Sequence, residues 1–441
     1  MILRVTIENL FSFKEETEIS FVAGKSDLLP HHVRRAEKRD DISVLKAGII
    51  YGANASGKSN IIKAISILKT IALGKVPRNE VEPFKLSNIN NSPSKVNLEM
   101  KIGEHYYEYG VKFSIKGIVE EWLYEFNGRS DKEIFSRKTD KNGNDFHFGT
   151  KFDNKEDEQL AGFISKSTPT TDSFLSEYIK RNGKAITAIV EVYGWIKNNL
   201  KLIFPNTIFR ELSIRVEQDK TFANATKSLL KYFNTGIVDI RRIKVSKESV
   251  DLPEDMLKKF LAELEPETRI VLTATSPNSA IYFIETDKDG APAIFKQNTI
   301  HRDENDQDIS FEMSEESDGS LRIMDFIPML IDLRLNDVVY LIDEIDRSMH
   351  PMLSQKILEY YFSHLEEIRE TQLIFTTHES NLMDLKLIRA DEVWFVEKDK
   401  NGASHLTSLA EYKPREDIRK GYLQGRYGAI PFFAPINSLN W

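Results

Sequence analysis

Residues 52–59 read GANASGKS and fit the pattern G-x-x-x-x-G-K-[ST]. In that pattern the glycines let backbone N–H groups curl around phosphate oxygens, Lys58 brings a point charge to them, and Ser59 offers a hydroxyl to Mg²⁺. A helix starting at this loop turns its positive end toward the same phosphates. Gly52, Asn54, Ala55, Ser56, Gly57, Lys58, Ser59 and Asn60 are therefore the expected nucleotide-binding set, with ATP and Mg²⁺ as the expected ligands. Turnover needs a second element, an acidic residue at the end of a neighbouring buried strand. VVYLIDEID at 338–346 supplies it: Asp343 is expected to reach the metal through water, and Glu344 to act as general base toward the water attacking the γ-phosphate. QLIFTTHES at 372–380 then puts His378 at a strand end, where a γ-phosphate sensor would sit. The expected catalytic residues are Lys58, Glu344 and His378, and the expected metal ligands Ser59 and Asp343.

The flanking sequence has the elements these residues need. Val44 to Tyr51 is an apolar, partly β-branched run ending at Gly52, and Ile61, Ile62, Ile65, Leu68 and Ile71 recur at helical spacing after Lys58. Val338 to Ile342 reads as a parallel strand buried on both faces. Met352 to Ile368 reads as an amphipathic helix, and Gln372 to Thr376 and Glu392 to Glu397 as short strands. Upstream, residues 2–7 and 17–22 predict two strands around a turn containing Asn9 and Ser12. A hairpin follows over 96–102 and 106–115, with further strands over 121–126 and 133–137. The charged, glycine-bearing stretch from about 138 to 155 lacks apolar periodicity and predicts a loop or boundary. From 158 to 264 the segments 174–179, 186–203, 223–233 and 256–264 favour helices, and strands return over 269–274 and 280–285. The expected organisation is an N-terminal half with P-loop and β-rich lobe (1–155), a mainly helical insertion (156–265) and a C-terminal half (266–441).

LRVTIENLFSFKEE at 3–16, the P-loop, ESDGSLR at 316–322, LIDEIDRSMHP at 341–351, FTTHES at 375–380 and YLQGRYGAIPFF at 422–433 together carry a family resemblance. The chain resembles the ABC-type ATPase heads of the SMC-like and OLD-like group, and more closely the stand-alone bacterial AAA-type ATPases of abortive-infection and related antiphage systems. That resemblance implies an α/β fold, a P-loop ABC-type ATPase head with a β-rich lobe and an insertion. It maps the signature element onto Ser317 and Gly319, which touch the nucleotide of the opposite subunit, and puts Ser348 and His350 in the D-loop at the dimer seam. It also implies a homodimer or higher homo-oligomer with ATP sandwiched between heads, and control of a separate effector protein such as a Toprim-type nuclease. The usual Gln-loop has no counterpart, since no glutamine stands at a strand end of the lobe. Sustained heptads are absent, so the insertion is no long coiled-coil arm.

Composition bounds the alternatives. The 441 residues are 41% hydrophobic and 29% charged, as in a folded globular chain. A net charge of -8 gives no global pull toward nucleic acid, and the pairs Arg241-Arg242 and Lys258-Lys259 are too small to favour the alternative reading, a DNA repair or processing ATPase. A scaffold that binds ATP without turnover is a third reading, against which the intact Glu344 speaks. With no cysteine, disulfides, thiolate zinc sites and cysteine nucleophiles are excluded. No signal peptide is expected from the alternating amino terminus, and no run reaches the roughly 18 to 20 apolar residues of a membrane span, so a cytoplasmic protein is expected. The tail YLQGRYGAIPFF stays open between a docking element, a nucleotide contact and packing on the core.

Overall fold

Alternating side chains open the chain as β1 (Ile2–Glu8), which turns back as β2 (Thr17–Ser20) with Val5 opposite Ile19. The computed structural model describes residues 1–35, 42–87, 92–127, 130–141, 143–250, 254–262, 264–273, 280–366, 369–414 and 417–430. A short pair, β3 (Val33–Arg34) and β4 (Val44–Leu45), precedes β5 (Ala47–Gly52), every residue of which is buried. Then comes α1 (Lys58–Leu73), whose Ile61, Ile62, Ile65, Leu68 and Ile71 are buried, as their spacing predicts.

An antiparallel lobe follows: β6 (Ser94–Ile102), β7 (His105–Ser114), β8 (Gly117–Asn127), β9 (Ser130–Asp140) and β10 (Gly143–Phe148). With the first hairpin they form a seven-stranded sheet in the order β10-β9-β8-β7-β6-β1-β2. β10 lies where a loop is expected from sequence. Its Gly143-Asn144-Asp145 start has little strand propensity, and edge pairing with β9 supplies what propensity lacks. Phe146 and Phe148 then pack on Phe174, with centroids 5.0 and 5.6 Å apart.

The chain divides into two compact units, Met1–Pro205 with Asn336–Asp346 and Leu358–Trp441, and Asn206–Leu335 with Arg347–Ile357. This division differs from the expected boundaries at 155/156 and 265/266. The helices α2 (Lys155–Ser167), α3 (Phe174–Lys180) and α4 (Thr187–Asn198) belong to the first unit, where α3 and α4 pack against α1, with Ile189, Val192 and Ile196 of α4 in the same core as the apolar face of α1. Helical periodicity marks their apolar faces without saying what those faces meet. The helix expected over 186–203 stops at Asn198, and Leu200–Ile203 is β11, which lines up in parallel with β17 (Val339–Ile342).

The second unit mixes helices and strands. Its α5 (Leu212–Gln218), α6 (Lys220–Tyr232), α7 (Glu254–Ala262) and α8 (Asp318–Leu335) accompany an antiparallel sheet. That sheet is ordered β12-β15-β14-β13, with β16 on β15, from strands Asp239–Val245, Arg269–Thr273, Ile281–Thr286, Pro292–Arg302 and Asp308–Glu312. Tyr282, Ile284 and Ile294 build one small core with Val250 and Leu257, and Ile281 and Phe283 another with Ile214. β12, β15 and β16 are not expected from sequence, because polar and charged residues interrupt their apolar pattern.

The central sheet of the first unit positions the site. Its order is β11-β17-β18-β5-β19-β20, with β18 (Gln372–Thr377), β19 (Val393–Lys398) and β20 (Ser404–Ser408). The first five strands are parallel, so β5, β17, β18 and β19 end on one edge, while β20 is antiparallel. Ligands of open parallel sheets bind at that edge. Pro351–Ser363 forms α9 and Ile418–Leu423 forms α10. The tail packs on the core as far as residue 430: Tyr422 and Tyr427 both stack on Phe395 at 5.7 Å, and Tyr422 donates to Ala429 O at 3.1 Å. Pro431, Phe432 and Phe433 lie outside the described residues. Among the described residues no helix is long and apolar enough to cross a membrane.

Candidate nucleotide site

The P-loop leaves β5 at Gly52, where a Cβ would collide with the Ser56 side chain and Val396 O. The chain then takes φ +63° at Ala55 and +113° at Gly57, the residue before α1, a conformation that favours glycine. Gly57 is needed for a second reason: a Cβ there would collide with the hydroxyls of Ser12 and Ser404. These two serines brace the loop. Ser56 O can only accept, so Ser404 Oγ donates to it at 2.5 Å. Ser12 Oγ then donates to Ser404 Oγ across 2.7 Å, and the Asn60 amide donates to Ser12 Oγ at 2.8 Å. Ser404 N also donates to Ser12 O at 2.7 Å. No sequence motif points to Ser404, and Ser12 is visible only as a turn residue.

Lys58 is 5% exposed, and its ammonium donates to Gly52 O at 2.7 Å and Ala53 O at 3.0 Å. Burial pulls its pKa down to about 8, while Glu344, Asp343 and Asp346 hold it up, so it is a cation at neutral pH. Those carboxylates arrive from the end of β17. Thr376, fully buried on β18, fixes their turn: its hydroxyl donates to Asp343 Oδ1 at 2.8 Å and accepts from Glu344 N at 2.7 Å, and its carbonyl accepts from Ile345 N at 3.1 Å. Glu344 has φ +55°, in the left-handed region that costs a side chain on the order of 1 kcal/mol or more and persists where the surroundings over-determine it. The bonds to Thr376 do that. Asp346, which sequence reasoning left unassigned, accepts from His378 N at 3.3 Å.

His378 Nδ1 lies 3.4 Å from Lys58 Nζ. Burial and then the Lys58 charge lower the His378 pKa below its ordinary value, against Asp346, Glu344 and a hydrogen bond to the Gly52 backbone, so the ring is neutral at pH 7. Asn54 to Asn60, Glu344, His378 and Lys398 line one cavity of about 490 Å³. Of the expected site residues of this unit, Gly52 and Asp343 do not line it; Asp343 is 3% exposed, one residue back from Glu344. Lys398, at the end of β19, is a lining residue that no motif marks.

Among the described residues no group of three His, Cys, Asp or Glu side chains is placed to hold a metal by itself. Ser59 lines the cavity, whereas Asp343 stands behind Glu344 with its Oδ1 accepting from Thr376.

Ser317 and Gly319 belong to the second unit, with Ser348 and His350. Ser317 is exposed and its hydroxyl accepts from Ser320 N at 3.1 Å at the start of α8. A Cβ on Gly319 would sit 3.4 Å from Ser348 O, so the turn before α8 and the segment after the carboxylates are neighbours within this unit. His350 immediately precedes α9, accepting from Met352 N at 3.2 Å through Nδ1.

Residues 49–384 match the family model described as "AAA domain, putative AbiEii toxin, Type IV TA system". Among solved structures the chain is similar to the SMC head domain from Thermotoga maritima, with 11% identity, 92% of this chain and 98% of that chain covered, and a TM-score of 0.39. It is also similar to an SmcHead bound to the C-winged helix domain of ScpA (13% identity, 93% and 99% covered, TM-score 0.41). A third is an Smc head domain with an extended coiled coil bound to the C-terminal domain of ScpA derived from Pyrococcus furiosus (12% identity, 96% and 99% covered, TM-score 0.41). No curated protein matches. The family match covers well over half of the 441 residues and takes in the P-loop, Asp343, Glu344 and His378, and the chain belongs to this family of AAA-type ATPase domains.

Proposed function

We propose that the chain binds and hydrolyses ATP, and that it serves as the sensor or regulatory subunit of a bacterial antiphage, abortive-infection system. The observation that carries hydrolysis is the meeting of Lys58, Glu344 and His378 around one cavity, with Asp343 one residue away. Backbone N–H groups of the P-loop and the start of α1 bind the phosphates, and Lys58 neutralises charge on them. Ser59 and Asp343 would hold Mg²⁺, which supplies further neutralisation of the phosphate oxygens. Glu344 takes a proton from a water whose oxygen bonds to the γ-phosphorus; the bond from that phosphorus to the β–γ bridging oxygen breaks, leaving ADP and phosphate. Neutral His378 donates a hydrogen bond to the γ-phosphate rather than adding a charge.

Two heads close on two nucleotides, Ser317 and Gly319 of one reaching the ATP of the other, and the closed dimer controls a separate effector such as a nuclease. The exposed Ser317 beside the Ser348 segment supports the first part, and the toxin–antitoxin wording of the family description supports the defence setting. Direct action on DNA is the weaker reading. The Arg241-Arg242 pair is already neutralised, Arg241 by Asp239 and Asp308 and Arg242 by Glu217 and Glu285.

ATP turnover by the purified chain, compared with Glu344→Gln, tests the proposal. It predicts a loss of at least about 100-fold in the variant with ATP binding retained. Equal turnover in both would remove Glu344 from the mechanism.

A further inference from the structure

The strands on either side of β5 end in two different side chains that face the same cavity. β18, on one side, runs into His378; β19, on the other, ends at Lys398. The register fixes Lys398 there. Val396 pairs with Gly52, so Lys398 lies two residues beyond the point where β5 becomes the P-loop, and on the same face of β19 as Val396. On its other side Lys398 pairs with Ser404, the residue that donates to Ser56 O.

The charge of Lys398 is uncommitted. Among the described residues no carboxylate pairs with it, and it is exposed at the rim of the cavity. The other lysine of the cavity, Lys58, is buried and already donates to two carbonyls of the loop. Lining the same cavity are Glu344 and His378, which act at the terminal phosphate in the function proposed above. An ammonium on the other side of β5 from His378, with no carboxylate partner among the described residues, is suited to neutralise an anionic group bound in the cavity.

We propose that Lys398 contacts the terminal phosphate of the bound nucleoside triphosphate from the side opposite His378, and so sets a preference for tri- over diphosphate. This rests on the nucleotide reading of the site. No motif signals the residue, because its position follows from strand register and not from spacing along the chain.

The test is the affinity of the full chain, with Mg²⁺, for ADP and for the non-hydrolysable β,γ-imido analogue of ATP. Lys398→Ala is expected to weaken the analogue about tenfold and ADP less than about twofold, as for one charge-assisted contact partly screened by solvent. Lys398→Arg, which keeps the charge and the reach, is expected to recover most of that loss, and Lys400→Ala to match the wild type. Wild-type binding with an unchanged Lys398→Ala affinity overturns the proposal alone, and so does an equal loss for both nucleotides, which would put the contact on a shared inner phosphate. A wild-type chain that binds neither nucleotide overturns the nucleotide reading itself, and Lys398 with it.

Discussion

The P-loop edge of the central sheet and the turn before α8 both carry residues expected to touch nucleotide, and they are built in opposite ways. At the sheet edge each functional group has a neighbour from a distant part of the chain: Gly57 is packed by Ser12 and Ser404, the Asp343-Glu344 turn bonds to Thr376, and His378 N bonds to Asp346. At the turn, Ser317 bonds to its own helix start and is exposed. One region is arranged before the ligand arrives; the other presents a surface that, in the function proposed, meets a second head. Pre-organised groups contribute most to catalysis, whereas a presented surface contributes to assembly.

Breaking the sheet edge is expected to cost most. Lys58→Ala removes the buried cation and should abolish measurable ATP binding and reduce turnover on the order of 1000-fold, checked by nucleotide titration and phosphate release. Ser317→Arg, on the presented surface, should leave ATP binding to a single chain unchanged while turnover falls on the order of 100-fold and ATP-dependent dimers disappear in light scattering. A loss of binding in that variant would erase the contrast between the regions. Thr376→Val should leave Asp343 without its hydroxyl donor, lower stability by about 1–3 kcal/mol and slow turnover about tenfold, read by denaturant unfolding and by rate. The smallest effect is on pH. A free-state Lys58 pKa of about 8, raised again by bound phosphate, makes ATP binding take up a proton above pH 8. Affinity is full about one unit below that pKa, is about halved at it and falls about fivefold more one unit above it, and calorimetry in buffers of different ionisation enthalpy measures the uptake.

The sequence showed the residues whose chemistry is written in consecutive positions. GANASGKS needs its glycines for local backbone reasons, and VVYLIDEID and QLIFTTHES announce strand ends by apolar runs that stop at charge. Ser12, Thr376, Ser404 and Lys398 escaped or carried no role because their effect comes from contacts between segments far apart in sequence, and a lone serine, threonine or lysine has no periodicity to betray it. Much the same limit applied to the fold. The buried strands β5, β17, β18 and β19 were legible as apolar runs, whereas β10, β12, β15 and β16 carry too many polar residues for that signal. The helices α3 and α4 were legible as helical sequence, yet their membership of the first unit depends on packing against α1.

A crystal structure of the Glu344→Gln chain with ATP and Mg²⁺ tests the central claim most directly. The account predicts Lys58 on the β- and γ-phosphates, with Ser59 and Asp343 around the same metal, Asp343 directly or through water. Nucleotide bound elsewhere, or a metal shell without Asp343, would contradict it.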